Sequence, residues 1–308
     1  MNDQEMKLPW KLTYFLEPDL IMPAIMDETQ LRTTLKDFEV RDDDVFLVTY
    51  PKAGTNWTCE ILDAILNIDN LEVLKTRSLA EKVPLLEFGP SRHPDLLEDG
   101  IQDVPSIVET VLNSAPSPRR VPTHLLPKYC PSQLFTKKPK TVFIDRNPKD
   151  CLVSLFGWHQ YVRFLLPVEW DIFFDAHMDG HTVYGPYPEF LKAWYEYKDE
   201  PWFLFMRYED LKKTPKESIK KIAKFLGKDL TDDQLNKAVR VTSFDYMKKA
   251  NETVKGRDFY LRPTGVWQRK GVVGDWRNRF TVAQNEAFEK YYYGRMKELG
   301  IDHLNYTF

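Results

Sequence analysis

The segment LVTYPKAGTNW, residues 47–57, joins a short apolar run to the start of a helix through a Pro-Lys-Ala-Gly turn. Two interpretations fit this segment. In the first, it is an ordinary β-to-α turn, in which Pro51 and Gly54 break the strand and Thr55 caps the helix. In the second, it is an anion cradle, because a helix N-terminus offers unpaired N–H groups and the positive end of the helix dipole. Gly54 would then let the backbone approach a ligand closely, and Lys52 would add a positive charge.

The rest of the chain alternates strand-like and helix-like segments. Strand patterns cover residues 44–50, 119–127, 140–148 and 201–210, and helix patterns cover 55–68, 106–113, 149–162, 214–227, 231–239 and 281–301. Strands separated by helices predict a mostly parallel central sheet with helices on both faces. We therefore expect one α/β domain over residues 1–308, with a P-loop-like segment after its first strand. Prolines and charges fill residues 81–105, which we expect to be an irregular surface segment and a lid.

Composition limits the classes of function. The chain has 308 residues, 43% of them hydrophobic, and its net charge of −3 favours neither nucleic acid nor an anionic membrane as a partner. Its three cysteines are too few and too scattered for a disulfide framework or a zinc site, and no other metal-ligand cluster occurs. We expect them to be free and buried, which suits a reducing compartment. The N-terminus does not resemble a signal peptide and no apolar run is long enough to span a membrane, so a cytoplasmic protein is expected.

Polar side chains follow each predicted strand. Lys52 follows the first strand, His124 the second, Arg146 the third and Tyr208 the fourth. Ligands bind at the carboxyl ends of the strands in sheets of this kind, so we expect these four side chains to meet at one site. A nucleoside triphosphatase is one interpretation, but its G-x-x-x-x-G-K-[ST] pattern places the lysine after the last glycine, whereas Lys52 precedes Gly54.

Three motifs together resemble those of the cytosolic sulfotransferases. TYPKAGTNW (49–57) is similar to the family's 5′-phosphosulfate loop, RNPKDCLVS (146–154) to its 3′-phosphate motif, and RKGVVGDWRNRFT (269–281) to its R-K-G-x-x-G-D-W-K signature. The segments FMRYED (205–210) and VTSFDYM (241–247) also match in order and spacing, so the resemblance covers about residues 30–300. It implies sulfation of a small molecule by a transferase that uses 3′-phosphoadenosine 5′-phosphosulfate (PAPS), leaving the product PAP.

The resemblance implies a set of PAPS-binding residues. The 5′-phosphosulfate would lie on Lys52, Ala53, Gly54, Thr55 and Asn56, and the adenine on Trp57 and Tyr208, near Thr242. The 3′-phosphate would lie on Arg146 and Ser154, closed over by the loop Trp267, Arg269, Lys270 and Gly271. Each has an alternative interpretation. Trp57 would be a core tryptophan, Arg146 part of a surface ion pair and Ser154 a hydroxyl on a helix face. The basic loop would be a solvated turn, and Tyr208 and Thr242 would be core or capping residues.

The resemblance also implies catalytic residues. His124 occupies the place of the family's catalytic histidine and would accept the proton of the acceptor hydroxyl or amine, while Lys52 would stabilise the charge that develops as the sulfo group leaves. The motif departs from the family at Pro122, where many members have a lysine. We expect the chain to remain active, with Arg120 as a candidate substitute for the missing charge. Ala53 replaces a serine linked to donor hydrolysis, and Trp267 replaces a phenylalanine.

The acceptor site and the oligomeric state follow from the same resemblance. His124, Leu85, Phe88 and Trp158 would line an apolar acceptor pocket, with segments 81–105 and 250–265 deciding whether a phenol, steroid, alcohol or amine is accepted. A polar acceptor remains open, because segment 250–265 contains charged residues. Residues 277–286 resemble the family's dimer motif, so a homodimer is expected, although a capped surface helix explains them as well. A protein that binds PAPS without catalysis, because of Pro122, is the alternative function.

Overall fold

The computed structural model describes most of the chain between residues 13 and 306. The described residues are 13–17, 20–90, 105–252, 254–256, 261–262, 270–304 and 306. Two of the residues implied by the resemblance, Trp267 and Arg269, lie outside them. Within the described ranges, no helix is long and apolar enough to cross a lipid bilayer.

The described chain begins with a short antiparallel pair, β1 (Thr13–Glu17) and β2 (Leu20–Pro23). All four residues of β2 are buried, so the pair closes one side of the core. The sequence analysis did not predict this pair. Prolines interrupt the apolar runs around it, and a strand of four residues is too short to show a clear alternation.

The central sheet has four parallel strands in the order β4-β3-β5-β6. They are β3 (Val45–Thr49), β4 (Arg120–Thr123), β5 (Lys140–Asp145) and β6 (Phe203–Arg207). Val45 pairs with the first residue of β4 on one side and of β5 on the other, so these strands start level. Their carboxyl ends consequently lie side by side, which confirms the predicted parallel sheet.

Helices cover both faces of the sheet, as predicted. On one face, side chains of β3 such as Leu47 pack with the helices Thr55–Leu66, Pro215–Phe225 and Asp232–Val241. On the other face, side chains such as Phe46 pack with the helices Pro148–Tyr161, Trp170–Met178, Tyr187–Tyr195 and Val282–Glu298. Shorter helices are Glu28–Arg32, Val73–Thr76, Leu79–Lys82, Ser132–Lys137, Tyr208–Lys213 and Phe244–Asn251. Single turns occupy Thr34–Asp37, Val108–Leu112, Pro127–Tyr129 and Asp275–Asn278.

One expectation about the fold is wrong in part. Within segment 81–105, Leu86, Glu87 and Phe88 are buried, whereas Glu81 and Pro90 are exposed and residues 91–104 lie outside the described ones. Backbone contacts hold the buried residues in place: Leu86 N–H donates to the Pro122 carbonyl in β4, and Ile107 N–H donates to the Phe88 carbonyl. Charged and proline-rich composition suggested exposure, but these long-range hydrogen bonds pull the segment against the sheet.

The three cysteines are free and buried, as expected. Burial raises the pKa of the Cys59 thiol to about 12, and it also raises the pKa values of Cys130 and Cys151 well above the ordinary thiol value. These thiols therefore stay protonated at neutral pH and are poor nucleophiles.

Candidate active site

One cavity opens at the carboxyl ends of the four parallel strands. Lys52, His124, Arg146 and Tyr208, which follow β3, β4, β5 and β6 in turn, all line it. The strand-end prediction is confirmed in this geometric sense.

The loop after β3 brings backbone N–H groups to the cavity. Gly54 is the residue before the helix Thr55–Leu66 and has φ of +119°, a conformation that favours glycine. A Cβ atom built on Gly54 would lie 2.7 Å from Cδ2 of Tyr208, so the loop could not pack this closely with any other residue. Thr55 and Asn56, in the first turn of the helix, also line the cavity.

The plain-turn interpretation requires Thr55 to cap the helix, but Thr55 does not do so. Gly54 holds the cap position, and no described side chain accepts a capping hydrogen bond there. The Thr55 hydroxyl instead lies 2.7 Å from the Thr49 hydroxyl at the end of β3. The helix N-terminus is thus left open toward the cavity, which is the arrangement that an anion-binding loop requires.

Arg146 is held against the loop after β3 by a hydrogen bond to Lys52. Its guanidinium donates to the carbonyls of Lys52, at 2.8 Å, and Val272, at 3.3 Å, and it lies 4.2 Å from the ring centre of Tyr208. Its Nε is buried with no hydrogen-bond partner among the described residues. Ser154, two turns along the helix Pro148–Tyr161, lines the same cavity. The Arg146–Ser154 spacing thus places both side chains at one site, as the motif implies.

Trp57 forms an aromatic wall with Tyr208, their ring centres 5.4 Å apart at a steep angle. Its indole N–H donates to the carbonyl of Thr242 at 2.8 Å. Thr242 itself is not on the described cavity wall, and its hydroxyl donates to the Ala238 carbonyl at 2.8 Å. Thr242 therefore positions Trp57. Lys212, which the motifs did not indicate, lines the cavity with its amine 5.1 Å from the Trp57 ring centre.

Lys270 and Gly271 line one side of the cavity. Gly271 has φ of +65°, and a Cβ built on it would lie 2.6 Å from Cδ2 of Phe244, so only glycine fits without displacing that ring. Lys270 lines the cavity and donates to the Asp275 carboxylate at 2.7 Å. Ala53 is fully buried beneath the loop and does not line the cavity.

His124 faces the cavity in a defined tautomer. Its Nδ1 lies 2.7 Å from the Thr49 carbonyl, which can only accept, so Nδ1 carries the proton and Nε2 is left as the acceptor. Burial, together with the charge of Lys52, lowers the pKa of His124 from 6.5 to about 4. The imidazole is therefore neutral at pH 7.

A buried carboxylate holds the backbone beneath His124. Glu87 is 0% exposed and accepts from the His124 N–H at 2.8 Å and from the Thr123 hydroxyl at 2.9 Å. Burial raises the pKa of Glu87 to about 7. The sequence analysis missed Glu87 because it treated the segment 81–105 as a surface lid.

The outer part of the cavity is apolar. Leu85, Phe88 and Trp158 line it, as the resemblance implies, and the Trp158 ring packs edge-on against Phe164 at 5.7 Å. Tyr184 packs edge-on against the imidazole of His124 at 5.2 Å. Four further lining residues lie within the quoted motifs but were not assigned to the site: Pro51, Phe244, Met247 and Val272. Lining residues outside those motifs are Met26, Leu79, Val83, Ile107, Phe164 and Tyr184.

These features agree with the comparisons to known proteins. The sequence profile of the sulfotransferase domain matches residues 42–300. The chain belongs to the sulfotransferase family. It is 37% identical to mouse sulfotransferase 1 family member D1 over 270 residues, covering 86% of this chain and 87% of that protein. It is 34% identical to human sulfotransferase 1C2 over 291 residues, covering 93% of each chain.

The chain also resembles solved structures. The chain resembles the crystal structure of mouse sulfotransferase SULT7A1 complexed with PAP, with a TM-score of 0.72, 29% identity, and coverage of 95% of this chain and 97% of that one. Its fold is also similar to that of retinol dehydratase in complex with androsterone and PAP, with a TM-score of 0.83 at 24% identity over all of this chain and 97% of that one.

This sulfotransferase has no cation from β4 at the place where many members carry a lysine. Pro122 is buried in β4, opposite Leu47 of β3. Arg120 does not replace the missing charge, because its guanidinium binds the Asp63 carboxylate at 2.5 Å and donates to the carbonyls of Lys82 and Glu81. It is absent from the described cavity wall. The candidate role of Arg120 as a substitute is therefore not supported by its position.

Proposed function

We propose that this sulfotransferase moves a sulfo group from PAPS to the hydroxyl or amine of a small, mostly apolar acceptor, with His124 as the base. The observation that carries this proposal is the shared cavity, in which an open helix N-terminus and the cations Lys52 and Arg146 lie beside the neutral imidazole of His124. An anion-binding region and a proton acceptor next to an apolar wall are the parts that group transfer from an anionic donor requires.

The inner cavity fits a nucleotide with phosphate groups at two positions. The first group would bind Lys52 and the N–H groups of Gly54, Thr55 and Asn56. The loop can lie this close to Tyr208 only because residue 54 is glycine, since a Cβ atom there would collide with the Tyr208 ring. The second would bind Arg146, whose buried Nε has no described partner, with Ser154 and Lys270 beside it. Trp57 and Tyr208 offer aromatic surface for the adenine. PAPS supplies the sulfo group when bound, and PAP, named in the mouse structure, is its product.

His124 is suited to remove the acceptor proton. The Thr49 carbonyl fixes the Nδ1–H tautomer, and Glu87 holds the backbone N–H of His124, so the ring is oriented before a substrate arrives. As the acceptor oxygen forms its bond to sulfur, its O–H bond breaks and the proton passes to Nε2 of His124. The sulfur–oxygen bond to the donor's phosphate breaks in the same displacement, and that oxygen keeps the electron pair.

Lys52 is suited to stabilise the leaving oxygen. It has φ of +69°, which turns the chain so that its carbonyl binds Arg146 while its side chain reaches into the cavity. Its amine lies 5.4 Å from the ring centre of Trp158, at the boundary between the anion-binding and apolar regions. A fixed cation at that boundary favours the charge that builds on the oxygen leaving the sulfo group.

The second candidate is a sulfotransferase-like protein that binds PAPS without catalysis. One observation favours it: Pro122 supplies no charge, and Arg120 is bound to Asp63. The fixed tautomer of His124 and the position of Lys52 favour catalysis instead.

Two further properties belong to the proposal. We propose a homodimer through residues 277–286, supported by Val282, which is 77% exposed at the start of the helix Val282–Glu298. The same segment is also a well-capped helix start, with Thr281 and Gln284 forming a capping box, so the capped-helix interpretation alone explains part of the motif. We propose that the protein acts in the cytoplasm, which the free, buried cysteines support.

The test is to mix the purified protein with PAPS and a pool of phenols, steroids, aliphatic alcohols and amines, and to detect sulfated product by mass spectrometry. We expect transfer by the wild type, no transfer by His124→Gln, and unchanged PAP binding in that variant. His303→Gln is the matched control, since this exposed histidine binds only Tyr195 in the described structure. PAP binding without transfer to any acceptor would favour the second candidate, and absence of PAP binding would refute both.

A further inference from the structure

β5 ends in a buried carboxylate directly before Arg146. Asp145 is 0% exposed, and its Oδ1 accepts from the hydroxyls of Tyr187, at 2.8 Å, and Tyr306. Its Oδ2 has no hydrogen-bond partner among the described residues, and the nearest described cation is Arg207, whose Nε lies 3.8 Å away. A buried carboxylate costs stability unless hydrogen bonds and ion pairs offset its desolvation, and one oxygen of Asp145 has no described hydrogen bond, so we ask what this cluster does.

The Tyr187 hydroxyl connects this carboxylate to the backbone of Arg146. It accepts from the Arg146 N–H at 3.0 Å and lies 2.7 Å from the Arg146 carbonyl oxygen. One hydroxyl therefore contacts the polar groups on both sides of the Arg146 Cα atom. Tyr187 is the first residue of the helix Tyr187–Tyr195 and is itself buried, so its position is set by the core.

Tyr306, from the segment after the last helix, contacts the same carboxylate. The residue is buried, and its ring packs edge-on against Tyr292 with ring centres 6.0 Å apart. Ile301 and Leu304 of the same segment are buried as well. Ile301, Leu304 and Tyr306 thus pack into the core, and the Tyr306 hydroxyl makes a polar contact with the end of β5.

We infer that Tyr187 and Tyr306, acting through Asp145, are positioning residues that hold Arg146 in place for the 3′-phosphate of the nucleotide. This inference rests on the proposed role of Arg146 in PAPS binding. The guanidinium of Arg146 donates to two backbone carbonyls on other segments, and both hydrogen bonds depend on where its own Cα atom lies. A small shift of that Cα atom strains or breaks these bonds and so changes the position of the group that would meet the phosphate. Misplacement of a binding group by about 1 Å is enough to lower function by up to about a hundredfold.

The test compares two nucleotides that differ only in the 3′-phosphate. Dissociation constants for PAP and for adenosine 5′-monophosphate are measured by calorimetry for the wild type, Tyr187→Phe, Tyr306→Phe and Asp145→Asn. We expect each variant to weaken PAP binding by about tenfold, the effect of one buried hydrogen bond, and to leave adenosine 5′-monophosphate binding unchanged. The double variant Tyr187→Phe/Tyr306→Phe should lose less than the product of the single effects, because both hydroxyls act on one carboxylate.

Tyr195→Phe is the matched control. The Tyr195 hydroxyl lies 3.0 Å from Nε2 of His303, so it contacts the same C-terminal segment, but it does not touch Asp145 or Arg146. A purely structural role for the cluster would lower the melting temperature and weaken both nucleotides equally, and that result would overturn the inference. Unchanged PAP preference in all three single variants would also overturn it while leaving the proposed function intact. A wild type that does not distinguish the two nucleotides would overturn the proposed function and the inference together.

Discussion

Gly271→Ala tests whether close packing of the R-K-G segment shapes the nucleotide site. The new Cβ would lie 2.6 Å from the Phe244 ring, whereas ordinary contact begins at 3.4 Å, so the ring has to retreat by about 0.8 Å. Phe244 lines the cavity, and its displacement moves that wall. The positive φ adds a backbone cost of about 1 kcal/mol, and overpacking adds about 1–3 kcal/mol.

Gly227→Ala provides the matched control. Gly227 has φ of +72°, close to the +65° of Gly271, but a Cβ there meets none of the described atoms within 4 Å. Both variants should lose about 1 kcal/mol of unfolding free energy through the backbone, measured by urea denaturation. Only Gly271→Ala should lose more than this, and only Gly271→Ala should bind PAP more weakly, by about tenfold in calorimetry. Equal PAP affinity in the two variants would refute the argument that Phe244 transmits the packing of Gly271 to the nucleotide.

Three other predictions concern the base, the charge network and the oligomer. With an acceptor that does not titrate, kcat/KM should stay level as pH falls from 7 to about 5 and decline only as the pH approaches 4, because burial lowers the pKa of His124 to about 4. Glu87, whose pKa burial raises to about 7, becomes protonated in this range but keeps an oxygen that accepts from the His124 N–H. A decline centred near 6.5 would contradict this prediction. Arg120→Ala should lose about 3 kcal/mol of unfolding free energy, because it removes a partner of the buried Asp63 carboxylate, and its turnover should be unchanged. Lys216→Ala, which breaks an exposed ion pair with Asp232, should lose less than about 1 kcal/mol. Reduced turnover in Arg120→Ala would make Arg120 a candidate catalytic residue again. Val282→Asp should sediment as a monomer and the wild type as a dimer. Asn236→Asp, at an exposed residue of the helix Asp232–Val241 on the other face of the sheet, should leave the dimer intact. A dimeric Val282→Asp would place the interface away from this segment.

The sequence predicted best what depends on neighbours in the chain. The strand before Pro51 and the helix after Gly54 are local patterns, and the parallel sheet follows from their alternation with later elements. Because the carboxyl ends of parallel strands share one edge, local elements were enough to place Lys52, His124 and Arg146 at one site.

The remaining features depend on contacts between distant parts of the chain. Glu87 lies 37 residues before His124, and no local pattern shows that its carboxylate binds that backbone. The backbone carbonyl of Thr242 accepts from the Trp57 indole N–H, although the two residues are 185 positions apart in the sequence. The Thr242 side chain takes no part in this contact, so its type gives no signal. Nothing in the local sequence distinguishes Lys212 from other lysines on a charged helix, and only the fold places it over the Trp57 ring.

The burial of the three cysteines has a practical consequence for the study of this protein. Thiol-reactive dyes and spin labels attack the thiolate, and burial keeps Cys59, Cys130 and Cys151 both inaccessible and protonated at neutral pH. A single cysteine introduced at an exposed residue such as Val273, beside the nucleotide cavity, should therefore react alone. Fluorescence or electron-spin resonance from that label would report whether the surroundings of Val273 change when PAP is added, with every native cysteine left in place.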